Sequence, residues 1–412
     1  MFANIRFFLN YSKKNQKKFV FIHKFLYFCD KYSMMKIFYV YSLISHYNGA
    51  ERIIVDKMNL LAQLYNYDVY LITVDQSYHP INYSLNKSVH TIDLNIRTHS
   101  PYNYNNYLKR WVEKIRIARL FKTRFRYLIS QEKPDVIVCL SDTLTNWVIG
   151  SREKVPLVIE SHSIFKETMH WGNGKTSISG RLIRWYTLLN IRHANVVITL
   201  TESDAKYWRY LNKDVRVITN VAHLNPLESY SDCKSKHVIF VSRICYQKGI
   251  PFLIEIWRKV YQRHPDWHLD VYGEKEQDDY CEALLQCESI NIHVHEPISN
   301  IFKCYIESSI LLLTSVYEPF GLVLVEAMSC GLPVVSFDSD YGPREIISNE
   351  VDGFLIPNFD IDLFSERVCQ LIEDENRRQE MGCAGIEKSK QFSYERIMPM
   401  WKSLFEEMKS KS

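Results

Sequence analysis

Residues 318–335 read EPFGLVLVEAMSCGLPVV, two glutamates with seven residues between them and an apolar run between and beyond them. Upstream, SILLLTS (309–315) is a short continuous apolar run, as expected of a strand covered on both faces of a parallel sheet. VYEPFG (316–321) carries the turn-formers of its exit loop, and GLVLVEAMSCG is a helix ended by Gly331 and Pro333. Buried strand, loop and helix in that order form the repeating unit of a doubly wound α/β sheet. Glu318 then stands at the rim of the sheet and Glu326 about a turn and a half into the helix, so both carboxylates address one cleft. The first amides of the helix, at Phe320, Gly321 and Leu322, have no acceptor within it and form an anion site suited to a diphosphate. A carboxylate a turn further on is placed for ribose hydroxyls, and one on the loop for a sugar. The plain alternative is that Glu326 pairs with a nearby cation and Glu318 is solvated. Two glutamates at this spacing around a glycine-opened helix favour the cleft.

The same unit recurs outward in both directions. HVIFVSR, WHLDVYG, INIHVHE, PVVSFDS and GFLIP alternate with helical patterns, one of them running from Gly249 to about His264. The first half contributes KIFYVYS, YDVYLITV, DVIVCLS, PLVIESH, NVVITLT and VRVITN. Between the halves, HLNPLESYSDCKSK has Pro226, many turn-formers and no apolar period. The pattern predicts two Rossmann-like domains, residues 35–222 and 237–391, joined by a linker at 223–236 and facing across a cleft. Ligands of such sheets bind beyond the carboxyl ends of the strands. The last segment, 392–412, is a helix expected to return toward the first domain.

A chain of 412 residues with 46% hydrophobic content supports two cores. Its 51 basic and 47 acidic residues nearly cancel, which argues against a dedicated nucleic-acid binder. Ten cysteines occur singly without a CxxC pair, pointing to a reducing, cytoplasmic setting rather than a zinc site or disulfide framework. No run reaches the roughly 18 apolar residues of a membrane span. Residues 1–34 mix Lys pairs with Phe and Tyr but lack a clean apolar core and a cleavage site, and are expected to form a basic-aromatic extension with no part in the fold.

Arg243 and Lys248, at the end of HVIFVSR and the start of the next helix, would offset charge growing on a departing diphosphate. Gly49, opening the helix AERIIVDKMNLLAQLY, can bring a second helix terminus to the same phosphates. His162 ends the strand PLVIESH and would face the donor-side charges from the other domain. Their bland counterparts are exposed surface cations, an ordinary tight turn and a hydrogen-bonded structural histidine.

Glu318 and Glu326 together resemble the E-x7-E motif of retaining GT-B glycosyltransferases, specifically glycosyltransferase family 4. Three further stretches follow in the family's order. HYNGAERI (46–53) is similar to its glycine loop, VSRICYQKGI (241–250) to its Arg-x4-Lys pair, and SDYGPREII (339–347) to its Gly-Pro-x-Glu segment. The resemblance covers residue 35 to the end. Two departures stand out: Asn48 replaces a first loop glycine, and Glu274 and Lys275 follow Gly273 where a second glycine is usual.

The resemblance implies a metal-independent enzyme without a cofactor, moving a sugar from a nucleotide-diphosphate donor, first of all a UDP-sugar, to a saccharide or lipid-linked saccharide in surface-polysaccharide assembly. It assigns Arg243, Lys248, Gly49 and the amides at Phe320, Gly321 and Leu322 to the diphosphate, Glu326 to the ribose, Glu318 to the transferred sugar and His162 to positioning at the reacting centre. Three rivals stand beside it: an Asp-x-Asp metal site at 338–340, a sugar-nucleotide 2-epimerase of shared architecture, and a non-catalytic sugar-nucleotide-binding module. Within residues 108–129, Leu108, Trp111, Ile115, Phe121, Phe125 and Leu128 fall on one stripe ringed by Lys and Arg. Such a helix either docks on an anionic inner leaflet or packs its stripe on the core.

Overall fold

Short runs of β-branched and aliphatic residues make the strands. In LVIE, VVIT, VIVCL and ILLL nearly every side chain is buried, because helices cover both faces of each sheet. The computed structural model describes residues 34–45, 49–100, 105–141, 144–170, 178–274, 279–298 and 300–411. Among these, β1 (Lys36–Tyr41), β2 (Asp68–Thr73), β3 (Val89–Asp93), β4 (Val136–Leu140), β5 (Leu157–Glu160), β6 (Val196–Thr199) and β7 (Val215–Val217) form a parallel sheet in the order β3-β2-β1-β4-β5-β6-β7. A second parallel sheet runs β10-β9-β8-β11-β12-β13. Its strands are β8 (His237–Val241), β9 (His268–Tyr272), β10 (Ile292–His295), β11 (Ile310–Leu313), β12 (Val334–Phe337) and β13 (Gly353–Ile356).

The strand β3 is absent from the sequence reading. It is an edge strand in which only Val89 is buried, so it lacks the apolar run that reveals its neighbours. Its pairing of Val69 with Val89 defines it instead.

Six helices position the site: α1 (Gly49–Tyr65), α2 (Tyr107–Glu132), α3 (Glu202–Trp208), α4 (Ile250–Arg263), α5 (Leu322–Ser329) and α6 (Tyr394–Ser410). In α1, Ile54, Val55, Met58, Leu61 and Ala62 face the first sheet. On the same face, α6 contributes Ile397, Met398, Trp401, Leu404, Phe405 and Met408. The last helix of the chain therefore completes the core of the first domain. Both crossings between the domains meet, since the Ala222 amide donates to the Phe392 carbonyl at 2.9 Å.

The stripe expected on α2 is divided by the structure. Phe121 and Phe125 are fully buried with Ile117 and Ile129, whereas Leu108, Trp111 and Val112 are exposed. Ile115 and Leu128 are half-buried. Four-residue steps along the second half follow the sheet; the first turns project past it, capped by the Asn106 side chain, which accepts from the Leu108 and Lys109 amides. Of the extension at 1–34, residues 1–33 lie outside the described residues. No helix among the described residues is long and apolar enough to cross a membrane.

Candidate active site

The loops after β8 and β11 are stitched together, and that stitching places the donor-side charges. The Val316 amide donates to the Gln247 carbonyl at 2.9 Å, and Thr314 Oγ1 to the Lys248 carbonyl at 3.0 Å. Lys248 Nζ then donates to Glu318 Oε2 at 2.7 Å, and Ser315 Oγ to the same oxygen at 3.2 Å. Arg243, on the same β8 loop, donates from Nη2 to Gln247 Oε1 at 3.1 Å. Lys248 and Glu318 thus meet directly, a pairing that spacing along the chain does not show.

Gly321 carries the start of α5. Its φ of +96° lies in the left-handed region, and an added Cβ would come within 3.3 Å of Glu318 Cγ and 3.2 Å of Leu324 Cδ1. Glycine is required here by the turn itself, in addition to any ligand. Phe320 is buried, and Gly342 of the Gly-Pro segment lies against its carbonyl so closely that a Cβ would fall 1.9 Å from that oxygen. The Gly342 amide also donates to the Glu318 carbonyl at 3.1 Å. The Gly-Pro segment thereby locks the strand-to-helix turn, and the helix begins at Leu322, where its first amides lack an intrahelical acceptor.

Glu326 is the fifth residue of α5 and is buried. Burial pushes its carboxyl above the usual range, against the opposing pull of Arg52 and His223. Arg52, in the first turn of α1, approaches it across the cleft, Nη1 to Oε1 at 3.5 Å. A second contact crosses the cleft at Glu345, whose Oε1 accepts from the Glu202 and Ser203 amides at the start of α3, at 3.0 and 3.4 Å. The glutamate of the Gly-Pro-x-Glu segment therefore holds a helix end of the other domain.

On the first domain, Gly49 opens α1, and a Cβ there would meet nothing within 4 Å among the described residues. Asn48 and Lys275 lie outside the described residues. His162 follows β5 and is nearly buried; among the described residues its hydrogen-bond partner is Glu160, Nε2 to Oε2 at 2.9 Å. Glu160 in turn pairs with Lys57 of α1, both fully enclosed. Sequence reasoning passed over Arg52, Lys57 and Glu160. The available signal was a lysine among the apolar face positions of α1 and a glutamate closing the apolar run LVIE.

The Asp-x-Asp reading meets a direct obstacle. Arg344 donates to both oxygens of Asp338, at 2.8 and 2.6 Å, and to Asp340 Oδ1 at 3.1 Å, so both carboxylates are engaged by a guanidinium. No group of three or more metal-binding side chains occurs among the described residues.

The chain is similar to known proteins over most of its length. Residues 228–388 match the family model of glycosyl transferases group 1, and residues 47–225 that of glycosyltransferase family 4. The amylovoran biosynthesis glycosyltransferase AmsD of Erwinia amylovora is 27% identical over 385 residues, covering 90% of this chain and 99% of its own. An uncharacterized glycosyltransferase of Haemophilus influenzae is 24% identical over 90% of this chain and 100% of its own. In fold, a TarM variant from S. aureus, solved with UDP, fondaparinux and α-GlcNAc-glycerol, superposes with a TM-score of 0.72 at 17% identity, covering 90% of this chain and all of that one. Two parallel α/β domains facing across a charged cleft, with both halves matched in order, lead to one conclusion: the chain belongs to the group 1 glycosyltransferases of family 4, with the GT-B fold.

Proposed function

We propose that the protein moves a sugar from a nucleotide-diphosphate donor, a UDP-sugar, to a saccharide or lipid-linked saccharide with retention of configuration, in assembly of a surface polysaccharide. The observation that carries this reading is the meeting of Lys248, Glu318 and Ser315 at the mouth of α5, with Arg243 on the adjoining loop. Lys248, Arg243 and the amides of Phe320, Gly321 and Leu322 would receive the diphosphate and stabilise it as it leaves. Glu318, freed from Lys248 by the phosphates, would take hydroxyls of the transferred sugar. Glu326 would hold the ribose, Gly49 would admit the pyrophosphate to the start of α1, and His162 would face the reacting centre from the first domain. The donor phosphate itself would take the acceptor proton, so the reaction needs no metal and no cofactor. The UDP held by the S. aureus neighbour and the polysaccharide role in the name of the E. amylovora relative support the donor and the pathway.

Leu108, Trp111 and Val112, exposed on the first turns of α2 among Lys109, Lys114 and Arg116, support peripheral docking on the cytoplasmic face of an anionic membrane. Binding to anionic vesicles at low salt in a flotation assay, lost in a Leu108→Ser/Trp111→Ser variant, tests it.

A thermal-shift panel of UDP-, GDP- and ADP-sugars tests the donor. A ligand that binds only the folded protein at about 100 times its Kd stabilises it by about 2.7 kcal/mol. One UDP-sugar should raise the melting temperature, and Glu326→Ala should abolish that rise. A shift by none of the sugars would overturn the reading. Incubation without acceptor should leave the donor unepimerised.

A further inference from the structure

Lys57, Glu160 and His162 form a chain of contacts that donor binding does not use. Lys57 comes from α1, Glu160 is the last residue of β5, and His162 lies two residues beyond. One carboxylate oxygen, Glu160 Oε2, receives both Lys57 Nζ and His162 Nε2. Burial alone would push Glu160 up, yet the Lys57 ammonium and the His162 hydrogen bond hold it below the usual carboxylate range. Trp401 of α6 roofs the lysine, with Nζ 3.9 Å from its ring centre.

A buried ion pair is a poor way to gain stability, since well-packed apolar residues of similar volume do as well or better. Its position suggests another use. Among the described residues, three buried polar atoms around it have no hydrogen-bond partner: Glu160 Oε1, His162 Nδ1 and Thr219 Oγ1. All three residues line one recess, together with Lys57 and Trp401, whose free volume of about 10 Å3 admits a single water-sized group such as one hydroxyl. An ionised Glu160 can only accept, so the proton of a neutral His162 ring resides on Nε2. That leaves Nδ1 as a lone pair at the recess, complementary to a hydroxyl donor.

We propose that Lys57 and Glu160 are positioning residues that lock His162 in the Nε2–H tautomer, so that Nδ1 accepts a hydrogen bond from a saccharide hydroxyl at the transfer centre. This rests on the glycosyl-transfer reading and on the place given to His162 in it. It assigns α6 a part in catalysis as well, since Trp401 seals the lysine from solvent.

The test uses the full-length enzyme with its shift-selected donor. Glu160→Gln alone would strand Lys57, so the neutral pair Lys57→Met/Glu160→Gln is the informative variant. It should keep its melting temperature and donor KM while kcat falls about 10- to 100-fold, the scale of a displaced catalytic group. His162→Ala should lose a similar factor, and the triple variant no more than His162→Ala alone. In histidine 15N spectra, the resonance pair missing from His162→Ala should carry the Nε2–H pattern in wild type and lose it in the double variant. An Nδ1–H pattern in wild type, or additive losses in the triple variant, would overturn the proposal. Unchanged kcat in His162→Ala would remove the histidine's role and this inference together. If no sugar nucleotide is turned over, the transferase reading fails, while the 15N spectrum still reports the tautomer.

Discussion

Two lysine–glutamate pairs, one in each domain, are built differently. Lys248–Glu318 keeps side-chain exposures of 15% and 10% on two loops, whereas Lys57–Glu160 retains 4% and 3% between a helix and a strand end. Under the proposed function the open pair would trade its internal partner for phosphate and sugar, since both side chains keep some exposure to solvent. The closed pair cannot, because either charge left alone would be stranded in a low-dielectric interior. In the proposed reading the first would serve binding and the second would hold a neighbour still.

The contrast is tested most severely at Glu160. Glu160→Gln leaves the Lys57 ammonium unpaired and should cost about 3–5 kcal/mol of stability, read as a fall in the urea midpoint. A loss no larger than that of Glu318→Gln would erase the distinction between the pairs. Next comes Lys248→Met, which should lower kcat/KM about 100- to 1000-fold through lost stabilisation of the leaving diphosphate, with little change in melting temperature. Activity within a few-fold of wild type would show that the open pair is structural too.

Smaller effects sharpen the picture. Arg52 approaches Glu326 at 3.5 Å with its own side chain 38% exposed, so solvent screening holds the pair to about 0.2–1 kcal/mol. If Arg52 competes with the ribose for that carboxylate, Arg52→Ala should tighten donor binding by up to about five-fold in calorimetry; weaker binding would make Arg52 a donor ligand instead. The least effect is expected where α6 is tied to β7. Arg216 grips Glu407 through two bonds of 2.6 and 2.9 Å and, with Lys411, holds its carboxyl down to about 2. A carboxylate with a depressed folded pKa contributes stability above its ordinary 4.5, and loses it as pH falls toward 2. Wild type and Glu407→Gln should therefore differ by up to about 1 kcal/mol at pH 6 and converge in acid unfolding near pH 2.

The continuous apolar strands were legible because burial on both faces leaves no alternation to misread. The edge strand β3 was not, since its side chains are mostly solvated. Glu318, Gly321 and Glu326 announced themselves by spacing around one turn, a local matter. The pairing of Lys248 with Glu318 depends on how two loops 70 residues apart are stitched. The roof over Lys57 depends on a helix more than 300 residues away.

From the order of its residues alone the chain sets its two parallel sheets, the glycine-opened helix and the carboxylates flanking it, because strand burial and turn geometry are decided within a few residues. Only the tertiary structure decides which charge meets which: Arg52 across the cleft on Glu326, Glu345 on the start of α3, and Lys57 sealed beneath Trp401. Electrostatic partners are chosen by distance in space and by exclusion of water, and neither is written in separation along the chain.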